Sequence, residues 1–436
     1  MDYSSKVITA LNHKLMKLDN NKFELDLVNN NGFSRKPKKL SFIEDIKLIM
    51  SMSPSTYKAG LYDYFNYDKN IVSSSGFIQS RQKIKEDAFK YLLNAINKAY
   101  PCANTYKGYR LLAVDGSDLN ISYNPYDYET TMPNYKGHKT FNQYHINALY
   151  DILNNRYLDM ILRPTRLENE RQAMITMAEA YKGNKTIFIA DRGYESYNLY
   201  EHIRHTGNYF LIRIKDGSSR LFRNLPKRGE YDKELDITFT RNQTNNAKQY
   251  RDKHIWLAHN QFFDYLSSTR DTYQTSYRLV RIRIDGLKDK YEVLITNLPK
   301  DTISTSDIKE LYRLRWEIEI SFRHLKYSVN LNSLHSKRRD LIKQEIWAKL
   351  ITFNISMIII DYIHKHKLSK INKRKYEYKI NITNAMYLII KSIRKGGIPP
   401  NLIDLIAKEL LPIRPNRSYS RNTKPHSFVS FGYRYK

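Results

Sequence analysis

Apolar residues recur along the chain at two periods, and the changes between them divide it into regions. From Phe42 to about Tyr100 the spacing is three and four, with Phe77, Ile78, Arg81, Ile84, Ala88, Tyr91, Leu92 and Ala95 in phase and Ser73, Ser74 and Ser75 available as N-caps, so helices are predicted. The texture then shortens: Arg110–Val114, Tyr144–Tyr150 and Tyr157–Leu162 read as strands, with Asn154-Asn155 as the turn in a three-strand meander. A helix over Glu168–Tyr181, a strand over Thr186–Ala190, a helix over Tyr197–His205 and a strand over Tyr209–Ile214 follow, and that alternation defines an α/β fold. Residues 216 to about 300 interrupt it with Gly, Pro, Asn and Thr among short strands such as Tyr277–Ile284 and Tyr291–Thr296, a β-rich insertion. Beyond Asn297-Leu298-Pro299, long helices are predicted over about Ser304–Val329 and Leu341–Ile363. The expected units are a helical N-terminal region (1–103), the first part of an α/β core (104–215), the insertion (216–302), the second part of the core (303–370) and a helical, basic C-terminal region (371–436).

Charge changes this picture more than hydrophobicity does. Seventy-three Lys and Arg stand against 44 Asp and Glu, a formal charge of +29 whose self-repulsion calls for an anionic partner. Nucleic acid is the expected one, and residues 1–103 are then the candidate DNA-binding region. A membrane surface would satisfy the charge equally, but Met1–Leu11 is polar. The longest apolar run, Leu350–Ile360, contains Asn354 and Ser356 and falls short of the roughly 20 residues a span needs. The lone cysteine, Cys102, excludes an internal disulfide and a cysteine-rich zinc site and fits a reducing compartment, so a soluble cytoplasmic protein is expected. From Pro412 onward the tail carries Arg414, Arg417, Arg421, Lys424, Arg434 and Lys436 and no acid, which suits contact with DNA.

Three acids stand where regular structure would hold them rigid. Asp115 ends the predicted strand Leu111–Val114 and precedes Gly116-Ser117; Asp191 ends Thr186–Ala190 and precedes Arg192-Gly193-Tyr194. Carboxylates at strand C-termini of an open α/β sheet face the crevice where ligands bind, although Asp before Gly is also ordinary turn chemistry. Asp118, three residues on, is the alternative to Asp115. In the helix through Leu311–Lys326, at about 100° per residue, Tyr312, Arg315, Glu319 and Lys326 share one stripe from roughly 300° to 0°. Leu311, Leu314, Ile318, Phe322, Leu325 and Val329 form the neighbouring apolar stripe, whereas Glu317 faces away. The plain alternative is an exposed helix with Arg315 and Glu319 as an i,i+4 pair.

The string Tyr312-x2-Arg315-x3-Glu319-x6-Lys326, with Asp115 in Val-Asp-Gly-Ser and Asp191 in Asp-Arg-Gly-Tyr, resembles the signature of bacterial insertion-sequence transposases of the cut-and-paste, Asp-Asp-Glu kind. The resemblance spans about residues 75–365, and the 128 positions between Asp191 and Glu319 leave room for that family's insertion. It implies a ribonuclease-H-like mixed sheet flanked by helices and interrupted by a β-rich insertion. It further implies Asp115, Asp191 and Glu319 as ligands of Mg²⁺, with Mn²⁺ able to substitute, and Tyr312, Arg315 and Lys326 as contacts to phosphates near a cleaved DNA end. Tyr291, and second Trp256, would be the aromatics that receive a flipped nucleotide. The partners implied are double-stranded DNA with transposon-end inverted repeats and target DNA, bound by a homodimer at the bacterial nucleoid and not at a membrane. A ribonuclease-H-like nuclease that joins nothing, and a transposase-derived DNA-binding protein that has lost its chemistry, remain the competing readings.

Overall fold

The computed structural model describes residues 2–413 except 30–31, 36–38, 134–139, 218–219, 224, 245–248, 251–253, 285–289, 368–376 and 396–398; the basic tail from 414 onward lies outside the described residues. Five helices come first: α1 (Tyr3–Asn20), α2 (Phe42–Ser51), α3 (Tyr57–Tyr64), α4 (Ser74–Arg81) and α5 (Glu86–Ala99). Ser41 closes a capping box with Glu44 on α2, and Ser73 caps α4 by accepting from the Gly76 N–H. The sequence reading missed α1, whose inward residues Val7, Ile8, Leu11, Leu15 and Leu18 nevertheless keep the helical period.

The central sheet begins with β1 (Arg110–Ile121), the two-residue β2 (Thr131–Met132), β3 (Phe141–Asp151) and β4 (Arg156–Pro164), continues after α6 (Glu170–Ala180) with β5 (Thr186–Ala190), and after α7 (Tyr197–His205) with β6 (Tyr209–Ile214). β1, β3 and β4 form an antiparallel meander, whereas β5 pairs parallel with β1 and β6 parallel with β5. The spatial order β4-β3-β1-β5-β6 is the ribonuclease-H-like arrangement. Alternation along the strands feeds two cores. Leu111, Ala113, Ile187 and Ile189 face one side, and Leu112, Val114, Phe188 and Ala190 face the other, where α6 and α7 pack.

The expected insertion does not stand apart from this sheet. β7 (Tyr231–Thr240), β8 (His254–Trp256), β9 (Thr272–Arg283) and β10 (Tyr291–Thr296) extend it as β6-β10-β9-β7-β8, because β10 pairs antiparallel with β6. Glu201 on α7, fully buried, anchors it further by accepting from the hydroxyls of Tyr273, Thr275 and Tyr277 on β9.

The chain then runs through α8 (Thr305–Leu314), α9 (Trp316–Arg323), a π-helical turn (His324–Ser328) and α10 (Arg339–His366), and ends with a small β11–β12 pair (Tyr378–Ile380, Leu410–Pro412) around α11 (Ile382–Lys395) and α12 (Leu402–Lys408). α10 is long and apolar enough to cross a membrane, but 89% of its apolar window is buried inside the protein. Its Asn354 accepts from the Tyr157 N–H and donates to the Tyr157 carbonyl of β4. The N-terminal helices are not a detached unit: they share one continuous core with α10 and the C-terminal helices. A buried ion pair from Arg81 on α4 to Glu345 on α10, 2.8 Å long, crosses between them.

Candidate active site

Asp115 lies within β1 and does not end it: the strand runs on to Ile121, paired with β3 throughout, while its pairing with β5 stops at Ala113↔Ile189. The β5 side of this backbone is therefore without strand pairing from Val114 onward, and Asp115 sits just past the point where the parallel strands part. The sequence pattern misjudged the strand's end because Gly116, Ser117 and Asp118 are polar on a stretch covered from one neighbour only. Asp191 follows β5 directly, as expected, and caps a 3₁₀ turn over Arg192–Tyr194. Each aspartate is fixed by a following glycine: the Gly116 N–H donates to Asp115 Oδ1 (2.9 Å) and the Gly193 N–H to Asp191 Oδ1 (2.8 Å).

Glu319 arrives from α9. The predicted single helix is broken at Arg315, where the backbone tightens to i−3 bonding (Arg315 N–H to Tyr312, Ile318 N–H to Arg315), and is widened at the π turn, where the Val329 N–H reaches back to His324. A uniform wheel therefore fails beyond Glu319. Lys326, within this turn, donates to Ser117 Oγ (2.7 Å) and to the Asp118 carbonyl (2.8 Å), fastening this helix end to β1.

The charges of the other two acids act on Asp115. Burial pushes the Asp115 carboxyl up to about 7 against the pull of the Gly116 N–H and Arg315, and the negative charges of Asp191 and Glu319 push the same way. Glu317 is not among these partners; its charge acts on Tyr150 instead. Arg315 is the cation of the cluster, 2.9 Å from Glu319 and also under the influence of Asp115. Among the described residues no group of three or more His, Cys, Asp or Glu side chains is gathered as a metal-binding set. In kind the donors fit a hard divalent cation, since three carboxylates from separate rigid elements repel one another and Arg315 offsets only part of that charge.

Beside the acids opens a cleft of about 320 Å³, lined by Tyr312, Arg315 and Trp316 on the helix side and by Arg213, Arg283 and Glu292 on the sheet side, with Lys309 and Arg313 at its margin. The Arg315 guanidinium stands 5.0 Å over the Trp316 ring and 5.8 Å from the Tyr312 ring. Of the two aromatics proposed from sequence, Tyr291 starts β10 with the Arg281 guanidinium 4.4 Å over its ring. Trp256 is not brought to the site: β8 is the outermost strand, with β7, β9, β10 and β6 between it and β5. Asp118, the alternative to Asp115, turns to His145 Nδ1 at 2.7 Å. Sequence reading missed Arg213, Arg283, Glu170 and His145, since each lies on another element and none belongs to a short motif.

A mixed ribonuclease-H-like sheet thus carries two aspartates on or just after its strands, and a helix brings a glutamate whose charge acts on the first of them. Residues 106–355 match the family described as "Transposase DDE domain", and the chain belongs to it. It is 21% identical over 303 residues to the transposase of insertion sequence IS1151 from Clostridium perfringens, covering 64% of this chain and 63% of that one. Over 371 residues it is 21% identical to the transposase InsG of IS4 from Escherichia coli K12, covering 82% and 78%. The match to the putative transposase InsL of IS186A from the same organism is 41% over 59 residues and spans only 16% of that protein, so the chain covers less than two thirds of the length of the IS1151 and IS186A transposases. A solved piggyBac transposase synaptic complex with hairpin DNA aligns over 95% of this chain and 84% of its own at 12% identity and a TM-score of 0.44, a likeness too low to support a correspondence.

Proposed function

We propose that the chain is an active insertion-sequence transposase of the Tyr-x2-Arg-x3-Glu-x6-Lys group, which cleaves DNA at the ends of its element and joins those ends to target DNA. The observation that supports this reading best is the mutual electrostatic influence of Asp115, Asp191 and Glu319 around Arg315. In this reading the three acids hold Mg²⁺, or Mn²⁺ in its place, and the bound ions supply activation of the attacking oxygen and stabilisation of the leaving one. The chain's own residues do the rest. Three carboxylates facing a DNA phosphate repel it, so the site stays closed to substrate until their charge is neutralised. The planar fork of Arg315, stacked on Trp316 and opening to the cleft, suits a phosphate near the cleaved end. Tyr312 precedes the Glu319 helix and Lys326 follows it in the π turn, so the two stand at its opposite ends, and Tyr291 is better placed than Trp256 to meet an unpaired base.

The partners under this proposal are double-stranded DNA bearing the element's inverted repeats and a target duplex, held by a homodimer that pairs two ends, in the cytoplasm at the nucleoid and away from membranes. Its charge of +29 suits that partner. The test is cleavage and joining of a labelled duplex carrying the inverted repeats that flank the gene. Asp191→Ala and Glu319→Ala are expected to abolish Mg²⁺-dependent cutting while binding that duplex within a few-fold of the unaltered protein. Undiminished cutting by either variant refutes the assignment, and cutting without joining selects the nuclease reading.

A further inference from the structure

A fourth carboxylate lies close to Asp191 and over the glycine that follows Asp115, on a residue whose local sequence marks only a helix start. Glu170 is the first residue of α6, behind the Asn169 N-cap, an ordinary place for an acid beside the helix dipole. Its tertiary surroundings are not ordinary. A Cβ placed on Gly193 would stand 3.1 Å from Asp191 Oδ1 and 3.3 Å from Glu170 Oε2, so these two oxygens share the space over that glycine. A Cβ on Gly116 would run into Glu170 Oε1 and His145 Nε2. One oxygen of Glu170 thus lies over the glycine after Asp115 and the other over the glycine that holds Asp191.

Buried polar atoms without partners lie on the elements next to this carboxylate. Asn147 is fully buried and Tyr194 is 1% exposed, yet Asn147 Oδ1 and the Tyr194 hydroxyl have no hydrogen-bond partner among the described residues. Glu168 Oε2 is likewise unpartnered, although its other oxygen accepts from Asn147 Nδ2 at 2.9 Å. Burial aside, the charges that act on the Tyr194 phenol are those of Glu170, Asp115, Asp191 and Glu168, which places its hydroxyl among them. Leaving such groups unsatisfied is costly, and a hydrated cation with its bound water would relieve that cost. On the other side His145 Nε2 lies 3.2 Å from Glu170 Oε1, an ion pair without a hydrogen bond, and His145 Nδ1 is bonded to Asp118 Oδ1.

We propose that Glu170 is a further oxygen ligand of the divalent cation held by Asp115 and Asp191, with Asp118 and His145 as the pair that positions its carboxylate. The proposal rests on the reading of the two aspartates as cation ligands. In the present arrangement His145 and Arg315 lend positive charge to Glu170 and Glu319; cation binding exchanges those ion pairs for metal–oxygen contacts.

The test is Mn²⁺ titration of the full-length protein without DNA, read by calorimetry and by the paramagnetic resonance signal of the free ion. It compares the unaltered protein with Glu170→Gln, Asp191→Asn and, as a control at the far end of α6, Glu179→Gln. Glu179→Gln is expected to bind like the unaltered protein, and Glu170→Gln and Asp191→Asn each to weaken Mn²⁺ at least tenfold. Weakening by Asp191→Asn alone, with Glu170→Gln folded and binding normally, overturns the Glu170 assignment and leaves the aspartates standing. Absence of Mn²⁺ binding by the unaltered protein, or indifference to both substitutions, overturns both. Should Glu170→Gln fail to fold, Glu170→Asp keeps the charge and withdraws the oxygens by one methylene: a loss of threefold or more supports the assignment, and undiminished affinity overturns it.

Discussion

Replacing Asp115 by asparagine separates the cost of its charge from everything else it does. The asparagine keeps an Oδ1 to accept the Gly116 N–H, now 2.9 Å away, and removes only the ionisable oxygen. In the folded chain the Asp115 carboxyl is held at about 7 in place of its ordinary 3.8. At about 1.36 kcal/mol for each tenfold change in proton affinity, ionising it costs the fold up to about 4 kcal/mol, and partial exposure reduces this to roughly 2–4 kcal/mol. The sign follows from proton binding. The folded protein retains this proton to near pH 7 while the unfolded chain releases it near pH 4, so stability falls as pH rises through that window and levels off above it. Thermal unfolding in EDTA at pH 4, 5, 6, 7 and 8 is therefore expected to show Asp115→Asn equal to the unaltered protein at the acid end. At pH 8 the variant should be more stable by a few degrees in Tm for a chain of this size. Added Mg²⁺ should raise the Tm of the unaltered protein at pH 8 and leave the variant where it was. A difference that does not change with pH, or an asparagine variant less stable at pH 8, would refute the crowding of charge on which the site rests.

Two further substitutions probe other parts of the structure. Arg81→Ala leaves Glu345 buried without its 2.8 Å partner and is expected to cost about 3–5 kcal/mol in urea unfolding, whereas Arg81→Met combined with Glu345→Met should recover much of that loss; an unchanged midpoint in the single variant would show the N-terminal helices to be anchored elsewhere. Lys326→Ala is expected to lower affinity for the cleaved DNA end and to reduce the slope of log K against log salt by about 1, if the lysine exchanges Ser117 and the Asp118 carbonyl for a phosphate. An unaltered slope would confine the lysine to holding the helix against β1.

Periodicity alone located β5, β6, β10 and α7 to the residue, because each is a short, fully apolar or cleanly amphipathic run bounded by polar turns. It also singled out Asp191 and Glu319, since a strand end and a helix stripe are local properties, and it preferred Glu319 to Glu317 on helix phase. What periodicity lacked was any knowledge of neighbours. β1 outruns its apolar residues because β3 pairs with it as far as Ile121. The insertion joins the central sheet because β10 finds β6, and Trp256 is carried to the outer edge by the same pairing. Lys326 reaches Ser117 and the Asp118 carbonyl on β1, a contact that residue type does not reveal. Glu170 and His145 read locally as a helix start and a strand residue; only the packing of α6 and β3 against β1 brings them together over Gly116, the glycine after Asp115. Sequence thus determined which carboxylates are held rigid, since backbone geometry is short-range. Tertiary structure decided which charges crowd them, because Coulombic interaction depends on distances that chain order does not encode.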